Sequence, residues 1–322
     1  MGGLYASSSC GVFIIRSSIV KRLWIASLAL FGCGGLGLWF VYSLIPPAPV
    51  SSQSTPEATT SPASTPIVEL PKYQRYSLPN SDIHTVTISP RSRFKVSIAV
   101  APTLETVEEF AKPQKTIAVL NGGFFDPKNA KTTSYVTKNG KVVSNPEQND
   151  RLMQNLDLQP YLPQILERSE FRSYQCGEQV RYAIASRLEK VPSGCKLIDA
   201  IGGGPQLLPE FTATEEGFVD PNVGRDSIGV NQRNSRSAIG ITQDGSVVLV
   251  MAAQRADAPQ NSGMSVQALV GFMQRLGVKQ ALNLDGGSSS ALVYQDQTFY
   301  GKVDKAGKPV PRAIKSAIVV HE

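Results

Sequence analysis

The 322-residue sequence predicts an α+β fold: a single globular domain with a mixed, largely antiparallel sheet and few helices, behind an N-terminal transmembrane helix. Three observations predict it. Short strand-like runs recur from about residue 84 onward, and Asn-Gly and Asp-Gly pairs separate two pairs of these runs, as in hairpins. Only two stretches have helical periodicity, and an uncharged segment near the start is long enough to cross a bilayer.

The predicted anchor is the segment 23–45, which has 23 residues and no charge. A helix of that length crosses the ~30 Å hydrocarbon layer with some tilt. Arg16, Lys21 and Arg22 precede it, and no Lys or Arg follows until Lys72. The positive-inside rule therefore predicts a cytoplasmic segment 1–22 and a single-pass membrane protein whose C-terminal domain is extracytoplasmic, on the periplasmic or cell-surface side.

A cleaved signal peptide is the alternative for this segment, although its apolar region would normally span only ~7–15 residues. Leu30, Phe31, Gly32 and Cys33 resemble a bacterial lipobox, with Phe31 where a small residue is expected. Twelve more uncharged, mostly apolar residues follow Cys33. This continuation favours an uncleaved anchor.

A Pro/Ser/Thr-rich linker, 46–72, follows the predicted anchor. Its first 21 residues contain six Pro and nine Ser or Thr, a composition that forms an extended spacer without a packed core. The globular domain is therefore predicted to span 73–322, away from the membrane surface.

Charge and histidine content exclude several function classes. The net charge is +6, but residues 1–45 contain three bases and no acid, so the rest of the chain has 29 bases against 26 acids. No run of five basic residues occurs, and no nucleic-acid partner is expected. The two histidines, His84 and His321, are too few for a three-histidine zinc site.

The elements of the domain are predicted from apolar alternation and from cap residues. A helix is expected over 104–110. A second is expected over 265–277, where Ser265 is the cap, Gly277 ends the helix and five apolar residues share one face. The segment 145–197 has the weakest pattern. Strands are expected at 84–88, 94–100, 116–120, 134–136, 141–143, 181–185, 238–241, 247–251, 280–284, 291–294 and 316–320.

Two cysteines, Cys176 and Cys195, lie on the predicted exported side. An even pair in an oxidising compartment is expected to form a disulfide, here closing a loop of about 20 residues. A nucleophilic thiol is the alternative, but no histidine lies near either cysteine in the sequence.

Three glycine-bearing turns each follow an apolar strand. The first is Asn121-Gly122-Gly123-Phe124-Phe125-Asp126, the second Gly202-Gly203-Gly204-Pro205, and the third Asp285-Gly286-Gly287-Ser288-Ser289-Ser290, preceded by Leu282-Asn283-Leu284. Paired glycines let the backbone approach a ligand closely, while Asn, Asp and Ser supply short polar groups. Together these turns predict a polar pocket, and none of them matches a phosphate-binding P-loop.

These turns, with Arg236-Ser237-Ala238-Ile239-Gly240 and the helix leading to Leu282, resemble the phosphodiester glycosidase family from about residue 94 to 320. The family usually has glycine where Ser288 stands, and the Cys176–Cys195 stretch has no counterpart in it. The resemblance implies hydrolysis of a sugar-1-phosphodiester. The expected partner is a glycan or sugar-phosphodiester substrate.

The resemblance and the scarcity of histidine assign the chemistry to carboxylates. Asp285 is predicted as the principal catalytic residue and Asp126 as its partner. Asp285 is also a candidate ligand for Ca²⁺ or Mg²⁺, although no cofactor is required by the sequence. The predicted substrate-binding residues are Asn121, Gly122, Gly123, Phe124, Gly203, Gly204, Arg236, Asn283, Gly286, Gly287, Ser288 and Ser289.

Each assignment has a structural alternative. Asp126 precedes Pro127 and suits a turn, Arg236 suits a surface ion pair, and Phe124 suits core packing. At the level of function, two alternatives to the glycosidase remain: a non-catalytic glycan-binding module, and a phosphodiesterase that cuts the other ester bond.

Overall fold

A computed structural model describes residues 69–113 and 115–322. The predicted cytoplasmic segment, the transmembrane anchor and most of the linker lie outside this range. Across the described residues, the longest helices are too short or too polar to cross a membrane.

The described chain is rich in strands and poor in helices. The helices are α1 (Val107–Ala111), α2 (Asp150–Met153), α3 (Leu162–Leu166) and α4 (Val266–Arg275), with 3₁₀ turns at Pro146–Gln148, Gln159–Tyr161 and Gly287–Ser289. The strands are β1 (Lys72–Leu78), β2 (Ser81–Ile88), β3 (Lys95–Glu105), β4 (Thr116–Asn121), β5 (Phe125–Asp126), β6 (Lys131–Thr132), β7 (Val136–Lys138), β8 (Lys141–Ser144), β9 (Ser169–Cys176), β10 (Gln179–Ser186), β11 (Cys195–Gly202), β12 (Gln206–Leu208), β13 (Val219–Asp220), β14 (Arg225–Asp226), β15 (Arg236–Thr242), β16 (Val247–Ala253), β17 (Val278–Asn283), β18 (Ala291–Tyr294), β19 (Gln297–Tyr300) and β20 (Ile314–His321).

The strands form three main sheets and two short ribbons. The first sheet has the order β1-β2-β16-β15-β17-β12, the second β19-β18-β4-β20-β3, and the third β10-β9-β11-β7-β8. Strands β5 and β6 form one ribbon, and β13 and β14 the other. The strand pairs in all of them are antiparallel. The predicted α+β class, a single domain with largely antiparallel sheets, is confirmed.

The largest apolar cluster draws residues from all three sheets. Leu249 and Leu282 come from the first, Leu120 and Ile318 from the second, and Phe171 from the third; all five are fully buried. Helix α4 covers another apolar cluster built on the first sheet. Because burial of a large side chain stabilises a fold by roughly 1.5–3 kcal/mol, this shared core holds the three sheets together.

Most strand positions agree with the sequence, and the differences have local causes. The helix expected at 104–110 begins later, because β3 continues to Glu105 and Thr106 caps α1 with its side chain. The strand expected at 134–136 retains only its last residue, as β7 begins at Val136. Both predicted hairpins form, with positive φ at Gly140 and Gly245. Helix α4 has the predicted cap, since Ser265 accepts a hydrogen bond from the Ala268 amide.

The disulfide prediction is confirmed by a bond between Cys176 and Cys195. These residues end β9 and begin β11, where they face each other across the strand pair. The bond fastens one end of the third sheet and closes the β9–β10 hairpin within a covalent loop.

Candidate active site

The three glycine turns meet, and each of them follows an interior strand of a different sheet. Strand β4 leads into Gly122, β11 into Gly203, and β17 into Asp285. A Cβ atom at Gly123 would lie 2.2 Å from the Gly202 carbonyl oxygen, and one at Gly203 would lie 2.6 Å from the Asn283 carbonyl oxygen. Such approaches exclude any side chain, so the glycines are needed for the turns to touch.

Asp285 is fastened through its own backbone to the first glycine turn. Its amide donates to the Gly122 carbonyl at 3.2 Å, and its carbonyl accepts from the Asn121 side-chain amide at 2.7 Å. The Asn121 oxygen in turn accepts from the Ser237 hydroxyl at 2.6 Å and from the Ala291 amide at 3.2 Å. Asn121 is fully buried and its polar atoms are used within the protein, so it positions Asp285.

The Asp285 carboxyl has a perturbed acidity. Burial raises its pKa from a usual value of 3.8 to about 6, against the opposing effects of the Ser289 hydroxyl, the Arg312 charge and the Gly286 amide. A carboxyl with this pKa exchanges its proton near neutral pH. Acid-base residues of enzymes typically have such shifted values.

A polar cavity of about 420 Å³ opens at Asp285. Six of the predicted site residues line it: Phe124, Arg236, Asn283, Asp285, Gly286 and Gly287. Its opposite wall is a loop that the sequence analysis did not identify. That loop contributes Asp226, Ser227, Ile228, Gly229, Gln232 and Asn234, and Leu284, next to Asp285, also lines the cavity.

Arg236 occupies the cavity wall with most of its donors already used. Its guanidinium donates to the carbonyls of Met264, Ile228, Gly229 and Gln232 at 2.7 to 3.0 Å. Burial lowers its pKa to about 10, which leaves it charged at neutral pH. Arg236 therefore holds the loop 228–232 in place and brings a buried positive charge to the cavity.

Asp126 is not among the residues that line the cavity. Its carboxylate accepts from the Lys128 amide at 2.8 Å and from Arg151 at 2.7 Å. These partners lower its pKa against the effect of burial, so it stays ionised. The surroundings of Asp126 match the turn that the sequence offered as its alternative.

Asp226 is the second carboxylate at the cavity, although the sequence analysis did not select it. Its two oxygens accept from the amides of Ile228 at 3.3 Å and Val230 at 2.8 Å. Its charge also raises the pKa of Arg236, against the effect of burial. Asp226 is exposed at the end of β14, and only its place in the folded loop reveals it.

The remaining predicted residues support the turns. The Phe124 ring lies at the cavity and packs against Phe218, with ring centroids 5.7 Å apart. A Cβ at Gly204 would meet the buried carboxylate of Glu216. Asn283 donates to the Gly204 carbonyl at 2.8 Å, and its own side-chain oxygen has no hydrogen-bond partner among the described residues.

Ser288 belongs to the third glycine turn and Arg312 binds it, although neither residue is among those that line the cavity. Arg312 donates to the Ser288 hydroxyl at 2.6 Å, and its guanidinium lies 5.3 Å from the centroid of the Phe125 ring. Its charge lowers the pKa of Asp285. The sequence signal for this residue was its place before the final strand, β20, in the stretch Pro311-Arg312.

The side chains of the described residues do not form a ready-made metal site. Across 69–113 and 115–322, His, Cys, Asp and Glu side chains form no group of three or more that could hold a metal ion. A Ca²⁺ or Mg²⁺ ion at Asp285 would therefore draw its other oxygen ligands from backbone, amide or substrate groups.

A carboxyl with a raised pKa, at a polar cavity lined by residues of the first and third glycine turns, is the arrangement expected of a catalytic acid or base. The sequence model of the phosphodiester glycosidase family matches residues 114–321. The chain therefore belongs to the phosphodiester glycosidase family, and it is a glycosidase by class. This confirms the resemblance drawn from the sequence.

Solved structures show the same fold at low sequence identity. The catalytic domain of zebrafish N-acetylglucosamine-1-phosphodiester alpha-N-acetylglucosaminidase, auto-inhibited by its pro-peptide, aligns with a TM-score of 0.56 and 19% identity over 81% of this chain and 85% of that chain. A putative exported protein from Burkholderia pseudomallei aligns with a TM-score of 0.56 and 13% identity, over 75% and 74% of the two chains. A hypothetical protein from Synechocystis aligns at 0.50 and 18%, over 78% and 61%. No curated protein sequence matches the chain.

Proposed function

We propose that the protein hydrolyses the glycosidic C–O bond of a sugar-1-phosphodiester in an envelope or exported glycan. The carrying observation is Asp285, whose pKa is raised to about 6 at the wall of the cavity. Family membership and the zebrafish neighbour, named for its action on an N-acetylglucosamine-1-phosphodiester, support this substrate class.

The chemistry of the leaving group gives Asp285 its role. A phosphomonoester leaves as a stable anion, so protonation of the bridging oxygen contributes little. The oxocarbenium-like transition state instead needs negative charge near the anomeric carbon and an activated water. We assign both tasks to the ionised Asp285 carboxylate. The water oxygen bonds to the anomeric carbon and gives one proton to the Asp285 carboxylate, while the C–O bond breaks and the phosphomonoester leaves with the bond electrons.

Asp226 replaces Asp126 as the second carboxylate of the proposal. It lies at the cavity, whereas Asp126 is held in a turn by Arg151. From the exposed end of β14, the Asp226 carboxylate can bind a sugar hydroxyl. Its replacement is expected to lower activity less than replacement of Asp285.

The other cavity residues divide by their hydrogen-bonding capacity. The Asn283 side chain supports the second glycine turn through the Gly204 carbonyl, and its oxygen is buried without a hydrogen-bond partner among the described residues. The Phe124 ring offers an apolar face to the sugar ring. Arg236 brings positive charge to the cavity, which favours an anionic ligand.

The experiment uses the full chain in detergent micelles and N-acetylglucosamine-1-phosphate methyl diester in ¹⁸O-labelled water. Release of labelled sugar and unlabelled methyl phosphate is the expected result. Asp285→Asn should lower kcat by at least about 10³-fold, because the base is lost. Asp296→Asn, an exposed aspartate in the β18–β19 hairpin, is the matched control and should keep full activity.

The same experiment distinguishes the two alternative functions. Sugar-1-phosphate as the product would show cleavage of the other ester bond. A protein that binds glycans equally well as wild type and as Asp285→Asn, and releases no product with or without a divalent cation, would be a binding module. Either result would contradict the proposed reaction.

We also propose that residues 23–45 anchor the protein in the membrane, with 1–22 in the cytoplasm, 46–72 as a linker and 73–322 outside. The Cys176–Cys195 disulfide supports an oxidising compartment for the domain. Extraction with alkaline carbonate should leave the protein in the membrane fraction. Protease added to cells with a permeable outer layer should digest the domain; protection of the domain would contradict this topology.

A further inference from the structure

Arg312 is a half-buried guanidinium with unused donors beside Asp285. One of its N–H groups donates to Ser288, while the other four have no hydrogen-bond partner among the described residues. The Phe125 ring supports the guanidinium from a centroid distance of 5.3 Å. Arginine's planar fork binds phosphate oxygens most strongly when it is held in place with free donors.

Arg236, the arginine that the sequence predicted to bind substrate, has almost all of its N–H donors bonded within the protein. Four of its five N–H donors are bonded to backbone carbonyls, so it has no free fork for a second ligand. It contributes charge, but it cannot grip two phosphate oxygens at once. The geometry therefore separates the two arginines by task.

Ser288 connects Arg312 to the third glycine turn. Its hydroxyl accepts a 2.6 Å hydrogen bond from the Arg312 guanidinium. The serine follows Gly287, the last cavity-lining residue of the third turn. Its hydroxyl therefore ties Arg312 to the same turn that presents Asp285.

We infer that Arg312, held in place by Ser288, is the guanidinium that binds the substrate's phosphodiester next to Asp285. This inference rests on the proposed function. Arg312 is a substrate-binding residue in this scheme, and Ser288 is a positioning residue that acts through it. In this scheme the phosphate lies at the edge of the cavity, past Gly287, where its oxygens accept N–H donors from Arg312 while the anomeric carbon faces Asp285.

The test uses dimethyl phosphate, a diester anion without a sugar, and the full chain in detergent micelles. Its binding is followed by ³¹P NMR titration, which needs no turnover. Arg312→Gln should raise the Kd about 10- to 100-fold, the range for a hydrogen-bonded charge pair, and Arg312→Lys should fall between it and wild type. Arg181→Gln, at an exposed arginine of β10, is the matched control and should bind as wild type does.

The contribution of Ser288 is measured by a double-mutant cycle. Ser288→Gly removes the hydroxyl and should raise the Kd about 3- to 10-fold in wild type but have no effect in Arg312→Gln. With N-acetylglucosamine-1-phosphate methyl diester, KM should rise in these variants more than kcat falls. Equal dimethyl phosphate affinity in Arg312→Gln and Arg181→Gln would overturn the inference, as would an equal effect of Ser288→Gly in both backgrounds.

Failure of the inference and failure of the proposed function give different results. If wild type does not hydrolyse the sugar diester but Arg312→Gln still binds dimethyl phosphate more weakly than wild type does, the anion site is supported and the proposed reaction is wrong. If hydrolysis proceeds in Arg312→Gln with an unchanged KM, the reaction stands and Arg312 is not its phosphate ligand. Thermal unfolding of each variant confirms that binding is compared between folded proteins.

Discussion

The side-chain amide of Asn121 donates a 2.7 Å hydrogen bond to the backbone carbonyl of Asp285, joining the first and third glycine turns. Asn121 ends β4 in the second sheet, and Asp285 follows β17 in the first. One buried amide thus connects two sheets at the point where the proposed catalytic residue stands. The orientation of Asp285 depends on a residue that does not touch the cavity.

Asn121→Ala should lower both stability and activity. It leaves the Ser237 hydroxyl and the Ala291 amide without their partner, at about 1–3 kcal/mol for each buried group. Urea unfolding measures the stability loss, and kcat measures the displacement of Asp285. Asn222→Ala, at an exposed position of the β13–β14 turn, should change neither. Full activity in a destabilised Asn121→Ala would show that Asp285 does not depend on this amide.

Gly123→Ala should prevent the first two turns from meeting. Its Cβ would lie 2.2 Å from the Gly202 carbonyl oxygen, so the backbone must move and activity should be lost. Gly271→Ala is the opposite control, because this glycine lies within α4 and its Cβ meets only the flexible Arg275 at 3.6 Å. That variant should gain up to about 1 kcal/mol in unfolding free energy. Similar unfolding midpoints for the two variants would contradict the close contact between Gly123 and the Gly202 carbonyl.

The pH dependence of hydrolysis should follow Asp285. The reaction needs its ionised form, so kcat/KM should fall about tenfold per pH unit below a pKa of about 6 and level off above it. The measurement is kcat/KM between pH 4 and 8 with the methyl diester. A rate that rises as the pH drops below 6 would mean that the protonated carboxyl is the active form.

Asp285→Asn should make the protein more stable while it removes activity. The folded pKa is raised above the usual 3.8, so the folded protein binds a proton that the unfolded chain has released. The contribution of Asp285 to the free energy of unfolding is therefore greatest below pH 3.8 and falls by about 3 kcal/mol as the pH rises through 6. At pH 7.5, Asp285→Asn should have a higher free energy of unfolding than wild type, because the variant has no charge to bury. Urea unfolding measures this difference. A less stable variant at that pH would contradict the buried charge.

His84 should make the domain sensitive to acid. Burial lowers its pKa from 6.5 to about 4; the Arg75 charge acts in the same direction and Asp82 opposes it. The Nδ1 of the ring lies 2.7 Å from the Tyr73 hydroxyl. The stability from its neutral form is complete above pH 6.5 and is lost as the pH falls through 4, by about 3 kcal/mol.

The control for this loss is His84→Gln, which cannot titrate. Urea unfolding at pH 7 and pH 4.5 should show a smaller difference for this variant than for wild type. Equal losses in both proteins would assign the acid sensitivity to other groups, of which Asp82 is the nearest, since its pKa is lowered.

The strands and the glycine turns were predictable because their signals are local. Apolar alternation marks β15 and β16, and a capping serine with a terminal glycine marks α4, whatever the rest of the chain does. The same holds for Asp285, which follows a buried strand directly. Local signals also placed Asn121 and Asn283 at strand ends. They did not show which of the side-chain atoms form hydrogen bonds within the protein.

The second carboxylate was not predictable from the sequence. Asp126 and Asp226 both precede turns, and each accepts backbone amides two residues along the chain. Arg236 holds the loop 228–232, and Asp226 next to it lines the cavity, whereas Asp126 is bound by Arg151 and does not line it. Arg312 was missed for the same reason, since its partner Ser288 lies 24 positions away.

Strand β20 lies between β4 and β3, inside the second sheet, although it is the final strand in chain order. The β4 strand that leads to Asn121 therefore has an open edge until β20 is in place, and Arg312 comes just before β20. During synthesis, the ribosome must add these residues before the catalytic geometry can exist. A chain that lacks β20 should therefore be inactive, and removal of β20 by a protease should abolish hydrolysis.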